Sequence, residues 1–412
     1  MISIGVHLDT LAGPLAAGTA EVSRTRGLTA TRFRYRTSYL SGPGWDLSPD
    51  LPVTAGEAVT EGLPGALDDS APDMWGRDLI TRRLARVAAA AGQAAPTPTE
   101  VDFLLGVSDL TRQGAIRLSV DDRFVAEPHE VPRLIDLEQL IDAATAVADG
   151  RTDTDTAVEL LLDAGSGSLG GARPKASVID DGTLFIAKFA HPEDRWDVMR
   201  WESVTLELAG ACGLSVPPHR LELIGTAPVV MVQRFDRRDG NRVPFLSGRS
   251  LAGSGDGGGD YLELVEAITN HGSDVDADLV ELWRRVAFSI LVNNTDDHLR
   301  NHGFLRARGG WKLSPLFDVN PNANPRASRV TSIAGETSPT RCPHALFAVS
   351  GRFGLEQSEA DQHWAELVEV VGRWRDLATE AGIAQDEHDR FAPVLDRWRG
   401  QASPAVDLTG NT

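Results

Sequence analysis

The chain has 412 residues, 59 of them acidic against 40 Lys and Arg, for a net charge of −19, with 42% hydrophobic and 24% charged residues. That length accommodates two or three domains with a sizeable core, and the composition is ordinary for a soluble globular protein. The acidic balance argues against broad nucleic-acid binding by the whole surface. No run of about 18 apolar residues is present, so no membrane-spanning helix or membrane partner is expected. Met1 to Ala20 lacks a basic segment and a long apolar core, so no signal peptide is expected. Cys212 and Cys342 are too few for a disulfide framework, which makes a cytoplasmic location the expectation.

In chain order, Thr31 to Leu40 alternates as a strand. Within it Arg32, Arg34 and Arg36 fall on one face and Phe33 and Tyr35 on the other. A half-buried strand with a solvated face is the preferred reading, and an anionic partner the alternative. Leu47 to Pro52 reads as a rigid extended loop, and a helix runs through Leu79, Ile80, Leu84 and Val87. Leu134 to Ala148 and Asp155 to Gly165 are helical by period.

From Gly165 to Lys175 the chain is dense in glycine, and such a loop can aim backbone N–H groups at phosphates. A mobile linker is the competing reading. Asp181-Gly182 signals a hairpin before Thr183 to Phe189, whose Lys188 sits among apolar neighbours. Gly-Lys-Ser/Thr is absent and a hairpin follows the loop, so this is no Walker A motif. Pro192 to Cys212 reads as a helix; its Glu202 is either a partner for Lys188 or a surface glutamate. Val229 to Asp236 is a buried strand running into a polar connector. Tyr261 to Asn270 is a helix, and a second, capped or opened by Asp278, leads to Asn293. Ser358 to Glu380 and Asp386 to Arg399 are closing helices.

The second of those helices delivers Asn293-Asn294-Thr295-Asp296-Asp297-His298-Leu299-Arg300-Asn301-His302-Gly303, and Asp318 follows after a strand-like run. An Asp, an Asn five residues on and a later Asp is the spacing of a protein-kinase type of phosphoryl-transfer site. Asn and Asp also crowd into turns for local hydrogen-bonding reasons, and the stretch alone leaves both readings open.

Taken together, the chain resembles the HipA-type serine/threonine kinases, toxins of bacterial toxin–antitoxin pairs. The resemblance rests on Leu47 to Pro52, Pro72 to Arg77, Ser168 to Lys175, Phe185 to Phe189, Gln233 to Arg237 and Asn294 to Asn301, in that order. It implies an α+β, protein-kinase-like two-lobed fold with an N-terminal mixed α/β subdomain and a mostly helical C-terminal lobe. The implied divisions are residues 1–100 for the N-terminal subdomain and 101–235 for the rest of the N-lobe. A helical C-lobe follows over 236–400, and a disordered tail over 401–412.

ATP and Mg2+ are the implied cofactors. The phosphates would lie under Gly170, Gly171, Ala172, Arg173, Pro174 and Lys175, with Lys188 on them. Adenine would meet the backbone of Gln233, Arg234 and Phe235, with ribose near Asp236. Asp296 matches the catalytic Asp, Asn301 and Asp318 the magnesium ligands, and His298 and Arg300 a nucleotide-contacting loop. Ser168 matches a loop serine that is autophosphorylated in the family. Asp297, where some members carry glycine, has no assigned role.

The implied partners are a HipB-like helix-turn-helix antitoxin, DNA only through it, and a protein substrate, aminoacyl-tRNA synthetases being among the family's targets. A mainly regulatory antitoxin-binding component and a small-molecule phosphotransferase are the alternatives.

Overall fold

The computed structural model describes residues 1–42, 44–125, 136–151, 154–166, 173–255 and 258–401. Two compact units divide the chain: Met1–Asp194 with Glu222–Leu246, and Arg195–Leu221 with Ser247–Thr412.

The first unit opens on a six-stranded sheet. Its strands β1 (Ile2–Leu8), β2 (Leu15–Thr25), β3 (Leu28–Tyr35), β4 (Glu57–Glu61), β5 (Ile116–Val120) and β6 (Arg123–Phe124) lie in the order β4-β3-β2-β1-β5-β6. On β3 the alternation acts as expected for a half-buried strand: Phe33 and Tyr35 are buried while Arg32 and Arg34 are exposed, Arg34 pairing with Glu57 of β4. The strand stops at Tyr35, not Leu40, and Thr37–Leu40 is a short helix, α1. Tyr35 stacks on Tyr39 at 5.2 Å, a closeness that the chain reaches only by turning, since four residues of extended strand span about 13 Å. The Tyr35 hydroxyl donates to Leu51 O at 2.6 Å and accepts from Leu47 N, which pins the Leu47 to Pro52 loop.

Helices α2 (Gly65–Asp68), α3 (Met74–Ala90) and α4 (Glu100–Gly106) follow, and Asp73 caps α3 by accepting from Gly76 N. Arg112 is fully buried, yet its guanidinium donates to the carbonyls of Ser70, Leu104 and Val107, so that one cation ties three segments. Burial pushes its pKa down to about 10. Helices α5 (Leu137–Ala148) and α6 (Asp155–Asp163) come next.

Strands β7 (Lys175–Asp180), β8 (Thr183–Lys188), β9 (His219–Ile224) and β10 (Ala227–Gln233) make a four-stranded sheet of order β7-β8-β10-β9. Asp181 and Gly182, both at positive φ, form the two-residue turn between β7 and β8. The core joins Leu79 and Ile80 of α3, Leu140 of α5 and Leu161 of α6 to Val178, Ala187 and Met231 of the sheet. Full burial of each large aliphatic side chain contributes about 1.5–3 kcal/mol. Short strands β11 (Arg237–Arg238), β12 (Asn241–Arg242) and β13 (Phe245–Ser247) follow.

The second unit is mostly helical. It contains α7 (Val198–Ala211), α8 (Gly248–Ala252), α9 (Tyr261–His271), α10 (Val275–Leu291), the hairpin β14 (Gly303–Ala307) and β15 (Gly310–Leu313), and α11 (Cys342–Ala348). Helices α12 (Gln357–Val371), α13 (Trp374–Glu380) and α14 (Gln385–Leu395) close it. Helix α7 starts later than Pro192, because the Asp197 side chain caps it at Arg200 N. The expected Ser358 to Glu380 helix is two helices, broken around Gly372. Asp278 lies inside the first turn of α10 and accepts from Leu313 N, while Asp274 is the N-cap residue. The expected disordered tail lies outside the described residues beyond Gln401.

Candidate active site

Helix α10 buries Leu282, Trp283, Val286, Phe288 and Ile290, a rigid base for the loop that follows. Asn293 ends it in the left-handed region at φ 54°, with Asn293 N donating to Ile290 O and Asn294 N to Ser289 O. This is a Schellman ending with Asn in the place glycine usually takes. Part of the Asn-rich stretch therefore does serve a turn, and the turn aims the residues after it.

Asp296 is exposed, while Asn301 is buried in the short 3-10 helix Leu299–Asn301. The Asn301 amide donates to the Asp296 carbonyl at 3.2 Å. Partial burial raises the pKa of Asp296, the charges of Asp318 and Asp297 raise it further, and His298 opposes them. Asp318 is held at φ 57°, a region costly for a residue with a Cβ and one where strain collects at functional sites. Asn301 is thus bonded to the backbone of the candidate base, whose carboxyl also feels the charge of Asp318.

Asp297, adjacent to the candidate base, points the other way into the core. Its Oδ2 accepts from the Tyr261 hydroxyl at 2.6 Å and lies 3.6 Å from the Arg329 guanidinium. Its Oδ1 is 3.1 Å from His302 Nε2. Burial alone would raise its pKa, but His302, Arg329 and the Tyr261 hydroxyl outweigh that and hold it well below the usual carboxylate range. Arg329 also donates to Asn294 O, Ser289 Oγ and the Tyr261 hydroxyl. The Asn293 amide donates to the carbonyls of Asn322 and Asn324, and Asn322 Nδ2 to Thr295 Oγ1. Sequence reasoning missed Tyr261, His302, Arg329 and Asn322. Tyr261, opening a helix after the Asp260 capping box, and His302, closing the stretch that carries Asp296, stood at recognisable positions.

In the first unit, Lys188 ends β8 at 8% exposure and lies across from both Lys175 and Val230 in register. Lys175 does not project to solvent: it is 2% exposed and its Nζ donates to Asp73 Oδ2 at 2.7 Å. That buried pair ties β7 to the cap of α3. Asp236 is likewise 3% exposed and takes hydrogen bonds from Arg234, Arg237 and Gly114 N. Burial works against its charge, but Arg234 and Arg237 keep its pKa far below the usual range. Both of its oxygens are engaged inside the protein, so in this structure it braces the segments around Arg234, Arg237 and Gly114. Gly114 sits at φ 72°, and a Cβ there would come within 3.1 Å of Phe245 N.

Gln233 pairs with Phe185, and Arg234 N donates to Leu184 O, continuing the sheet edge toward Phe235. Arg173 pairs with Asp194, and Pro174 O accepts from Phe189 N. Ser168, Gly170, Gly171 and Ala172 lie outside the described residues. Glu202, in the second unit, is 1% exposed, which corrects the surface-glutamate alternative. His298 has a buried Nδ1 with no hydrogen-bond partner, and Arg300 is exposed.

Asn301 and Asp318 offer oxygen donors of the type a divalent cation takes. With its NH2 donated to Asp296 O, Asn301 keeps its amide oxygen for a ligand, and Asp318 adds a carboxylate whose charge already disfavours ionised Asp296. Asn320 Oδ1, two residues on, is buried without a hydrogen-bond partner. Hard oxygen donors of this kind suit Mg2+, which completes its shell with water and phosphate oxygens. Among the described residues no group of three or more His, Cys, Asp or Glu forms a metal site.

The architecture is α+β and protein-kinase-like, with a sheet-rich first unit and a helical second unit carrying the Asp–Asn–Asp loop. Within that class the chain belongs to the HipA family: the HipA-like C-terminal domain model matches residues 167–374 and the HipA N-terminal domain model residues 9–96. Its fold is similar to that of Shewanella oneidensis MR-1 HipA, solved with HipB and its operator DNA, at a TM-score of 0.70 and 18% identity over 96% of each chain. It is also 24% identical over 194 residues to a Sinorhizobium fredii protein named "Putative kinase Y4mE". That match takes in 44% of this chain and spans 40% of the relative's length. Among the described residues no helix is long and apolar enough to cross a membrane.

Proposed function

We propose that the chain is an ATP- and Mg2+-dependent serine/threonine protein kinase of the HipA type, acting on a cellular protein and on its own Ser168. The observation that supports this reading is the Asn301 amide bonded to the Asp296 carbonyl in the loop that a buried helix delivers, with Asp318 charge acting on Asp296. In it, the acceptor hydroxyl oxygen bonds to the γ-phosphorus of ATP, the bond to the β–γ bridging oxygen breaks, and ADP leaves. Asp296 orients the hydroxyl and accepts its proton. Asn301 and Asp318 would hold the cation, which when bound neutralises charge on the phosphates.

Lys188, Gly170, Gly171, Ala172, Arg173 and Pro174 are assigned to the phosphates. The backbone of Gln233, Arg234 and Phe235 is assigned to adenine, and His298 and Arg300 to further nucleotide contacts. The nucleotide-binding lobe is proposed to run through residue 235 and the catalytic lobe from 236 to 400. A HipB-like helix-turn-helix antitoxin is the proposed partner, with DNA reached through it; the support is the likeness to a HipA solved with HipB and operator DNA. An aminoacyl-tRNA synthetase is one proposed substrate, the result being arrested translation.

Purified protein incubated with γ-labelled ATP and Mg2+ tests the reading. Label is expected on Ser168 or on a protein acceptor, and Asp296→Asn should abolish it. Label on a small metabolite would make the chain a small-molecule phosphotransferase. Nucleotide-independent binding of the antitoxin with no labelling would leave a regulator.

A further inference from the structure

The second unit has an open cleft of about 690 Å³ lined by Arg195, Trp196, Asn322, Ala323, Asn324 and Arg390. We propose that this cleft seats an anionic side chain of the acceptor polypeptide close to the residue to be phosphorylated. The inference rests on the kinase reading and deepens it by naming a substrate class.

Charge is the first observation. In a chain of net charge −19, two exposed arginines meet here, and neither has a carboxylate within ion-pair distance among the described residues. Among the described residues the Arg390 guanidinium donates only to Arg195 O, at 2.6 Å. Acidic groups near it in sequence face elsewhere: Glu387 accepts from Asp197 N and Trp201 Nε1, and Asp389 from Gln385. Unpaired guanidinium groups beside an indole suit a carboxylate or phosphate on a chain with some apolar surface.

Attachment to the catalytic loop is the second. Asn322 and Asn324 line the cleft, and their carbonyls take both hydrogen bonds from the Asn293 amide. Asn322 N donates back to Asn293 O, and its side chain to Thr295, the residue before Asp296. One wall of the cleft is therefore built onto the loop that carries the candidate base. An extended peptide advances about 3.3 Å per residue, so a side chain a few positions from the acceptor hydroxyl is the suitable occupant. A nucleic acid is disfavoured, because its many phosphates would meet an acidic surface beyond these two arginines.

Binding is read first and needs no catalysis. Fluorescence anisotropy of labelled serine peptides, with Glu placed two to four residues from the serine, is compared with matched Gln and Lys peptides. The Glu peptides should bind at least about tenfold more tightly at low salt, a gap that narrows as salt screens the charges. The double variant Arg195→Glu/Arg390→Glu should erase the preference while its melting temperature and its affinity for ATP stay those of the wild type. A phosphoserine peptide that outbinds the Glu peptide would keep the anion site and identify its source as a phosphorylated segment. Equal affinity for Glu and Gln peptides, an unchanged preference in the double variant, or tighter binding of a single-stranded RNA overturns the proposal. Intact Glu-peptide preference without any ATP turnover would instead sink the kinase reading.

Discussion

The Tyr261 hydroxyl donates to Asp297 Oδ2 at 2.6 Å, and this one bond joins the first turn of α9 to the residue beside the candidate base. Arg329 closes the arrangement by donating to the Tyr261 hydroxyl and to Asn294 O. Adjacent aspartates thereby have opposite environments, one exposed and one tied into the core.

Tyr261→Phe removes a donor from a buried carboxylate and should cost about 1–3 kcal/mol of stability. The matching kinetic expectation is a lower kcat with a nearly unchanged KM for ATP, since the loop loses positioning and not a nucleotide contact. Thermal melts and initial rates at saturating ATP measure both. An unchanged kcat with a lowered melting temperature would restrict Tyr261 to stability.

Asp297 and Asp236 set an acid dependence. Their pKa values are lower in the folded than in the unfolded chain, so their stabilisation is present above the unfolded carboxylate value of about 3.9. It fades as pH falls through the folded values. Asp297→Asn should lower the urea midpoint at pH 7, and the gap to wild type should shrink below about pH 4. A gap independent of pH would show that packing, not ionisation, carries the effect.

Two lysines facing each other across β7 and β8 should respond differently. Lys175→Met leaves Asp73 buried without its cation, and breaking such a pair costs about 3–5 kcal/mol. Asp73→Asn combined with Lys175→Met should recover part of that loss. Lys188→Met should keep more of the melting temperature and abolish ATP binding in calorimetric titration. The reverse pattern would exchange the roles assigned here.

Asp318 in the left-handed region invites a paired test. Asp318→Gly relieves backbone strain and should hold or raise the melting temperature, by up to about 1 kcal/mol in stability. Both it and Asp318→Asn should lose labelling from γ-labelled ATP. Full activity in either variant would remove Asp318 from the proposed cation site.

What the sequence determined by itself was whatever depends on neighbours a few residues apart. The Asp181-Gly182 turn, the arginine–aromatic alternation of β3 and the spacing of Asp296 to Asn301 were legible because hairpin, strand and loop geometry is local. The order of motifs also carried the family, and with it the fold. Tertiary structure alone decided which charged side chains face inward. Lys175 finds Asp73 and Asp297 finds Tyr261 and Arg329, partners 102, 36 and 32 residues away by their numbering. No periodicity records such pairings, because burying a charge is tolerable only where packing of distant segments supplies the opposite one.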